Sequence, residues 1–343
     1  MERHASHARD ISMQDAEFDA LRALSARIGR DIEQVQASGG NTSIKIGDTL
    51  HVKASGLWLA DSLDDDVFVP VSRRAVLDAI GEESEDGVRR AVIDELNPKG
   101  LRPSIETSMH ALLEHRVVLH THSVRTLALA VCSEAEAMLA SRLDGLSWAF
   151  IPYCKPGMKL TVGIRSVLAD APDGTRKDIL VLGNHGLVVG ADSVAEAGAL
   201  LARVEGLLDA PRTEIRAAIR AEVRSGEPVP SGWKRVDDPL VDSMAASERL
   251  RKLALSASWY PDHVVFLGPA ASATPDGIGK LMIRPDGAFL PDDASVSAVA
   301  MVRCLAHVLH RIPPDRELRH LDSRDELALM DWDAEKYRQA LER

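Results

Sequence analysis

The sequence contains few cysteines, and they form no recognisable pattern. Cys132, Cys154 and Cys304 are the only three in 343 residues, and they lie far apart with no Cys-x-x-Cys pair. This spacing indicates neither a disulfide framework nor a zinc site built from cysteines. A chain without disulfides fits a reducing compartment, so we expect a cytoplasmic protein.

Long apolar runs and an excess of basic residues are also missing. No stretch approaches the roughly 20 apolar residues of a membrane span, and the first residues lack the apolar core of a secretory signal. The 41 Lys and Arg residues are outnumbered by 52 Asp and Glu, which gives a net charge of -11. Broad binding of nucleic acid needs clustered basic residues. We therefore expect neither a nucleic-acid nor a membrane partner, and a small anionic substrate would need local positive charge or backbone amides.

The rest of the composition is typical of a soluble globular protein. Hydrophobic residues make up 45% of the chain and charged residues 27%, which are ordinary proportions. Domains commonly contain about 150 residues, so this chain can form one large domain with an appendage, or two domains.

Two apolar runs are followed by histidines. His120 and His122 close the run that begins at Val117, and His185 follows the run 179–182. Positions i and i+2 of a strand face the same side, so His120 and His122 can reach one ion and a neighbouring strand can add His185. Buried histidines often only form hydrogen bonds, and the glycines beside His185 could serve only a turn. The three together favour a metal site with open positions, the arrangement used in Lewis-acid catalysis, and predict a metalloenzyme.

Glu106 lies at the predicted entry of a helix, with Ser104 as its N-cap. One interpretation is a first-turn acid favoured by the helix dipole. The other is a general base, or a fourth metal ligand that the substrate displaces, because the chain returns to His120 within 14 residues. We interpret His110, one turn later, as structural.

Two glycine-containing segments offer backbone amides and hydroxyl groups. One is SGGNTS at 38–43, and the other is Ala54-Ser55-Gly56 at a predicted strand end. Together they could hold a phosphate group. Their spacing alone predicts only turns. The prediction of a phosphate site depends on their occurring together with the three histidines.

Predicted strands and helices alternate along the chain. Helices are expected over 18–28 (with Ser12 and Asp15 as a capping pair), 72–80, 104–113, 123–142, 192–208, 293–310 and from Ser323, with Glu326 completing a capping box. Strands are expected at 44–46, 50–53, 67–69, 117–122, 147–151, 178–182, 264–267 and on both sides of a turn at 285–287. This order predicts an α/β fold, and the early hairpin implies some antiparallel pairing.

A segment rich in Pro, Gly and Ser at 225–232 predicts a linker. We therefore divide the chain into a domain at 1–224, a linker at 225–240 and a small C-terminal α/β unit at 241–343 whose role the sequence does not indicate. Before the linker, basic residues recur every four positions and predict an exposed helix face beside an apolar seam: Arg212, Arg216, Arg220 and Arg224.

Five motifs follow one another in a specific order, at 40–43, 54–56, 103–106, 120–122 and 184–186. In this order they resemble the class II aldolase and adducin-head family, which includes L-fuculose-1-phosphate aldolase, L-rhamnulose-1-phosphate aldolase and L-ribulose-5-phosphate 4-epimerase. The resemblance covers residues 15–210. The segment 151–157 is especially similar to the aldolase half of bifunctional rhamnulose-phosphate aldolase/dehydrogenase proteins.

The resemblance implies a three-layer α/β/α sandwich around a mostly antiparallel sheet, with the C-terminal unit as a smaller appendage. It also implies a homotetramer whose active sites lie at subunit junctions. The implied substrate is a small phosphorylated sugar: a zinc-dependent aldolase would cleave a ketose 1-phosphate to dihydroxyacetone phosphate and a short aldehyde through a metal-stabilised enediolate.

Residue roles follow from matching motif positions. The implied ligands of zinc, or of another divalent cation, are His120, His122 and His185, and the implied acid/base is Glu106. The phosphate group would be held by five residues: Asn41, Ser43, Ser55, Gly56 and Ser104.

The chain departs from the family at two points. Ile105 stands where many members have a second serine, and no tyrosine occurs between His122 and Pro152, where the fuculose enzyme has its proton donor; Tyr153 is the nearest. The sugar itself cannot be read from the sequence. The alternatives are an epimerase, a dehydratase or a decarboxylase acting on a related sugar phosphate or sugar acid, and Glu106 in place of the epimerases' aspartate favours cleavage. A non-catalytic interaction module, like the adducin head, has no reason to retain three metal ligands.

Overall fold

The computed structural model describes residues 2–170, 174–211 and 227–341, with side chains from residue 14 onward. The recurring arginines between 212 and 224 and the first two residues of the predicted linker lie outside the described residues. No helix in the described ranges is long and apolar enough to cross a membrane.

Ten strands and fourteen α-helices are found in the described ranges. The strands are β1 (Asn41–Ile46), β2 (Thr49–Lys53), β3 (Phe68–Ser72), β4 (Val117–Thr121), β5 (Trp148–Ile151), β6 (Ile179–Leu182), β7 (Gly186–Ala191), β8 (Trp233–Arg235), β9 (Met282–Arg284) and β10 (Gly287–Pro291). The helices are α1 (Glu2–Gly29), α2 (Arg73–Gly81), α3 (Glu85–Arg90), α4 (Thr107–Leu112), α5 (Val124–Ala130), α6 (Ala135–Arg142), α7 (Met158–Ala169), α8 (Val194–Leu207), α9 (Pro239–Ala246), α10 (Glu248–Ser256), α11 (Pro261–Leu267), α12 (Val296–Leu309), α13 (Ser323–Met330) and α14 (Asp333–Ala340).

A seven-stranded sheet, in the order β3-β2-β1-β4-β7-β6-β5, forms the centre of the fold. Every neighbouring pair is antiparallel except β5 and β6, which run parallel. Strand β4 lies between β1 and β7. Its C-terminal end pairs with the N-terminal ends of both neighbours, because Asn41 pairs with His120 and Leu187 pairs with Thr121. The predicted α/β class is thus confirmed, with the hairpin of β1 and β2 at its expected place.

Both faces of the sheet are buried. Along β4, Val117 and Leu119 join one apolar cluster with α1 and α8, whereas Val118 joins another with α4 and α7. Successive strand side chains point to opposite faces, so this alternation places a helical covering on each side. Burial on both faces explains why these strands are continuous apolar runs in the sequence.

The C-terminal residues share a core with the central part of the chain. Residues of α9 to α12 form one apolar cluster with Val124, Leu127 and Val131 of α5 and the segment after it. A second, three-stranded sheet in the order β8-β10-β9 belongs to this region. A charged contact adds to the packing, because Arg311 Nη2 lies 2.9 Å from Glu33 Oε2.

Two sequence predictions about element type are wrong. The residues 264–267 form the end of helix α11, not a strand. Every residue of this helix is buried, so 264–267 is a continuous apolar run that shows no helical period. The single helix expected over 123–142 is two helices. The backbone between them forms hydrogen bonds with the segment at 317–318 instead of continuing the helix: Cys132 forms a β-bridge with Leu318, and Ser133 N donates to Glu317 O.

Two predicted helix starts and one predicted helix cap are also wrong. Helix α1 begins at Glu2, not beside Ser12. Helix α4 begins at Thr107, and Ser104 instead closes the preceding turn by accepting from Glu106 N at 3.2 Å. Helix α13 begins at Ser323 as predicted, but it is capped by Asp322, whose carboxylate accepts from two backbone amides, rather than by the predicted capping box.

Candidate functional site

The three predicted metal ligands meet at one end of the central sheet. His120 occupies the next-to-last position of β4, His122 follows the strand, and His185 lies in the turn between β6 and β7. All three are buried, and one ring nitrogen of each lies within 4.8 Å of the others. The strand periodicity and the neighbouring turn therefore bring the histidines together as predicted.

The turn that carries His185 is fixed by its neighbours in the sequence. Asn184 has a φ of 52°, and its side-chain amide donates to Trp259 O at 3.0 Å and to Arg319 O at 2.7 Å. A Cβ atom on Gly186 would lie 2.3 Å from Thr121 O. Glycine is therefore required where β7 approaches β4, and this approach places His185 beside His120.

Hydrogen bonds fix the tautomers of two histidines. His120 Nδ1 lies 3.0 Å from Leu187 O, and His122 Nδ1 lies 3.0 Å from Asp262 Oδ2. Because a carbonyl and a carboxylate only accept, each Nδ1 carries a proton, and in a neutral ring the lone pair is then on Nε2. These two Nε2 atoms lie 3.2 Å apart. With both rings neutral, the two facing lone pairs cannot form a hydrogen bond with each other, and a cation between them would satisfy both.

Glu106 supplies the negative charge of the cluster. Its Oε2 lies 3.3 Å from His120 Nε2, and its Oε1 lies 3.3 Å from His185 Nε2 but accepts no hydrogen bond from the described residues. Burial would raise the pKa of Glu106, but the three histidines and the Asn41 amide lower it to about 2. Burial also lowers the pKa of His185 to about 3. Neutral imidazoles beside a carboxylate are a donor set that fits a divalent cation.

Four of the five predicted phosphate-binding residues line a cavity beside the histidines: Asn41, Ser55, Gly56 and Ser104. Gly56 has a φ of 79° and approaches Leu341 so closely that a Cβ atom would lie 2.6 Å from its Cδ1. Glycine at position 56 therefore allows the close packing of Leu341 on this segment.

Ser43 is not brought to this cavity. Its hydroxyl lies 2.7 Å from His110 Nδ1 in the buried interior, and His110 Nε2 contacts the side-chain oxygen of Asn41. Burial lowers the pKa of His110 to about 3, so the ring is neutral and can donate from one nitrogen while accepting at the other. Ser43 and His110 therefore orient Asn41, which agrees with the structural interpretation of His110.

Four cavity residues were not predicted from the sequence: Lys53, Asp262, Glu335 and Arg338. Lys53 had a usable signal, because it directly precedes the glycine-containing segment at 54–56. Asp262 and the residues of α14 had none, since 140 or more residues separate them from His122. The C-terminal region therefore contributes to the site, and its helix α14 covers one side of the cavity.

Lys53 is a buried cation with one hydrogen-bond partner. Its side chain is 2% exposed, and its Nζ donates to Ser38 O at 2.8 Å. No carboxylate of the described ranges forms a salt bridge with it. Burial, with a smaller effect of the Arg338 charge, lowers the pKa of Lys53 to about 7. An anion in the cavity would give this ammonium group a partner.

Asp262 is held between His122 and Arg338. The guanidinium of Arg338 donates to both carboxylate oxygens of Asp262 at 2.8 Å and to Ser38 Oγ at 2.8 Å. Burial would raise the pKa of Asp262, but Arg338 and His122 hold it well below its usual range. Glu335 lies 3.3 Å from Arg338 Nη1 and completes this buried charged group.

No tyrosine of the described ranges lines the histidine cavity. Tyr153 is half-buried and packs against Val264, Leu321 and Leu329, and this burial raises the pKa of its phenol. A second cavity adjoins the first across Ser55, Ser104 and Ile105, and its other walls include Met158, Trp332 and Tyr337. Ile105 therefore places an apolar surface where the family often has a serine.

Known proteins resemble this chain mainly over its first two thirds. The sequence model of the family described as class II aldolase and adducin N-terminal domain matches residues 21–210. An uncharacterized oxidoreductase, YuxG of Bacillus subtilis (strain 168), is 30% identical over 178 residues, which are 47% of this chain and 24% of that protein. The matched part thus spans about a quarter of the length of this relative.

Two solved structures are similar to part of the chain. The N-terminal class II aldolase domain of a conserved protein from Thermoplasma acidophilum is 27% identical, with a TM-score of 0.47 over 56% of this chain and 92% of that one. L-fuculose-1-phosphate aldolase from Thermus thermophilus is 15% identical, with a TM-score of 0.38 over 55% of this chain and 92% of that one.

Proposed function

The chain belongs to the class II aldolase and adducin N-terminal domain family, and from this premise we propose that it is a zinc-dependent aldolase. Its substrate would be a ketose 1-phosphate, which it cleaves to dihydroxyacetone phosphate and a short aldehyde. The observation that carries the proposal is the pair of Nε2 atoms of His120 and His122, which lie 3.2 Å apart beside the carboxylate of Glu106.

His120, His122 and His185 are the residues that would hold the cation, zinc or another divalent metal. When bound, the cation supplies Lewis-acid polarisation of the substrate's carbonyl and hydroxyl oxygens. Burial lowers the pKa of His120 and of His185, which supports this role because neutral imidazole is the ligand form of histidine.

Glu106 is the proposed acid/base. Its low pKa keeps it ionised when the cavity is free, so it begins the reaction as a base. Asn41 Nδ2 donates to its Oε2 at 2.8 Å, which leaves Oε1 free of hydrogen bonds and able to take the proton from the substrate carbon or hydroxyl. Burial excludes bulk water, which would otherwise compete for that proton.

The phosphate group would lie against Asn41, Ser55, Gly56 and Ser104, with Lys53 as its charge partner. Ser55 and Ser104 offer hydroxyl donors, Asn41 orients Ser104 through its side-chain amide, and Gly56 lines the same cavity. Lys53 adds the positive charge that a dianion requires in a buried place. Ser43 is left out of this set because its hydroxyl pairs with His110.

The family resemblance extends the proposal to a cytoplasmic homotetramer that acts on a small phosphorylated sugar. Mass measurement by light scattering during gel filtration would test the tetramer directly.

Release of dihydroxyacetone phosphate is the decisive measurement. Zinc-loaded protein is incubated with ketose 1-phosphates of different stereochemistry, and dihydroxyacetone phosphate is detected by its enzymatic reduction. Glu106→Gln serves as the inactive control. A different outcome is an epimer, or a dehydrated or decarboxylated product, formed without any dihydroxyacetone phosphate. That result would contradict the aldolase activity and indicate one of these related activities. A protein that binds no stoichiometric cation would instead favour the non-catalytic module.

A further inference from the structure

The hydrogen-bond partner of a metal-site histidine comes from outside the part of the chain that matches the family. The family match ends at residue 210, whereas Asp262 lies in helix α11 of the C-terminal region. Its Oδ2 accepts the Nδ1 proton of His122 at 3.0 Å, and both side chains are buried. The family comparison therefore assigns no role to this carboxylate.

Arg338 binds Asp262 on the side opposite His122 and fixes the orientation of its carboxylate. Arg338 donates to both oxygens of Asp262 at 2.8 Å, a bidentate geometry that fixes the plane of the carboxylate. Arg338 belongs to α14, and its third hydrogen bond, to Ser38 Oγ, joins this helix to the glycine segment at 38–43. The ion pair thus links three distant parts of the chain.

Gly39 supplies the space for this contact. A Cβ atom at position 39 would lie 2.5 Å from Asp262 Oδ2 and 2.8 Å from His122 Nδ1. Any other residue would force the carboxylate and the ring apart. The first part of the glycine segment therefore accommodates the pairing of His122 with Asp262, in addition to any contact with substrate.

We propose that Asp262, clamped by Arg338, is a positioning residue that orients His122 for cation binding and thereby makes the C-terminal region part of the metal site. A carboxylate that accepts the Nδ1 proton of a histidine fixes its tautomer and increases the basicity of Nε2, and loss of such a partner typically weakens metal affinity by about 10 to 100-fold. The inference rests on the metal site of the proposed function but not on the reaction.

Cation affinity of the full chain tests this role without any substrate. The protein is stripped with a chelator, and zinc is titrated against a chromophoric competitor for wild type, Asp262→Asn and Arg338→Met. Asp242→Asn is the matched control, because Asp242 is also a buried aspartate of this region paired with an arginine, Arg235 Nη2 at 2.5 Å, and is not part of the histidine cluster. Thermal unfolding of each stripped variant shows whether it is folded.

Asp262→Asn is expected to bind zinc about 10 to 100-fold more weakly than wild type, and Asp242→Asn to bind like wild type. Cobalt absorption spectra should differ from wild type in Asp262→Asn, because the orientation of one ligand changes. A folded Asp262→Asn with wild-type zinc affinity and spectrum would overturn the inference.

If Asp262→Asn does not fold, Gly39→Ala separates the same two groups without removing a charge, and wild-type affinity there would have the same meaning. If Asp262→Asn weakens zinc binding while the wild type cleaves no ketose 1-phosphate, the positioning role of Asp262 is supported. Only the proposed aldolase activity is then contradicted.

Discussion

Asn41 and Glu106 are joined by a hydrogen bond of 2.8 Å between Nδ2 and Oε2, although 65 residues separate them in the chain. The contact connects the first residue of β1 with the turn before α4. Asn41 also donates to Ser104 Oγ at 3.1 Å. One amide therefore positions both the proposed acid/base and a proposed phosphate ligand, so the two halves of the substrate site share a single support.

Replacing Glu106 by Gln is expected to reduce kcat by about 10² to 10⁴-fold, because the amide cannot accept a proton from the substrate. The three histidines remain, so the protein should still bind one zinc per chain. Steady-state kinetics and metal analysis of the same preparation check both statements. Glu205→Gln is the control, since Glu205 is another buried glutamate but pairs with Arg125 away from the cavity. Unchanged turnover of Glu106→Gln would remove Glu106 from the mechanism.

Removal of the cation is expected to abolish lyase activity and lower stability. Ligand that binds only the folded state adds about 2.7 kcal/mol at a concentration 100-fold above its Kd. Adding zinc to chelator-treated protein should therefore raise Tm in wild type and leave Tm unchanged in His185→Ala. Calorimetry with and without zinc measures this difference. An equal rise of Tm in both proteins would mean that the ion binds elsewhere.

Lys53→Met is expected to weaken phosphate binding, since it removes the one cation of the cavity, among the described residues, that lacks a carboxylate partner. Lys45→Met is the matched control: Lys45 is also buried, its pKa is also lowered to about 7, and its Nζ donates to a backbone carbonyl, His115 O at 2.6 Å. It does not line the cavity. Calorimetric titration of chelator-treated protein with inorganic phosphate compares the variants, and equal losses in both would argue against a direct contact with Lys53.

The pH dependence of phosphate binding gives a second test of Lys53. Its pKa of about 7 means that the free protein loses this charge as the pH rises above 7. Phosphate is mainly a dianion there, so binding must take up a proton at Lys53, and affinity should fall by up to about tenfold per pH unit. Wild type should show this fall between about pH 7 and 9, and Lys53→Met should show a flat profile. A flat wild-type profile would contradict a lysine contact.

Much of the site was predictable because it depends on local patterns. The spacing of His120 and His122 puts both on one face of a strand, and the glycines around His185 indicate a turn beside it. The α/β class follows from the alternation of elements. The three-layer arrangement and the domain division stay predictions.

The residues that were missed depend on distant contacts. Asp262 lies in a buried helix whose sequence shows no helical period, and Arg338 reaches the cavity from a helix that was not predicted at all. The family motif implies Ser43 as a phosphate ligand together with Asn41. Two positions further along β1 than Asn41, however, the Ser43 hydroxyl is covered by His110, which no spacing in the sequence reveals.

Ser43→Ala separates support of Asn41 from direct contact with the phosphate. The variant leaves His110 Nδ1 without its hydroxyl partner in a fully buried place, and a buried polar group without a partner costs about 1 to 3 kcal/mol. We expect the free energy of unfolding in urea to fall by that amount, while KM for the ketose 1-phosphate changes little. Ser104→Ala is the comparison, because Ser104 lines the cavity and its loss should raise KM. A rise in KM for Ser43→Ala as large as that for Ser104→Ala would place Ser43 in contact with the substrate after all.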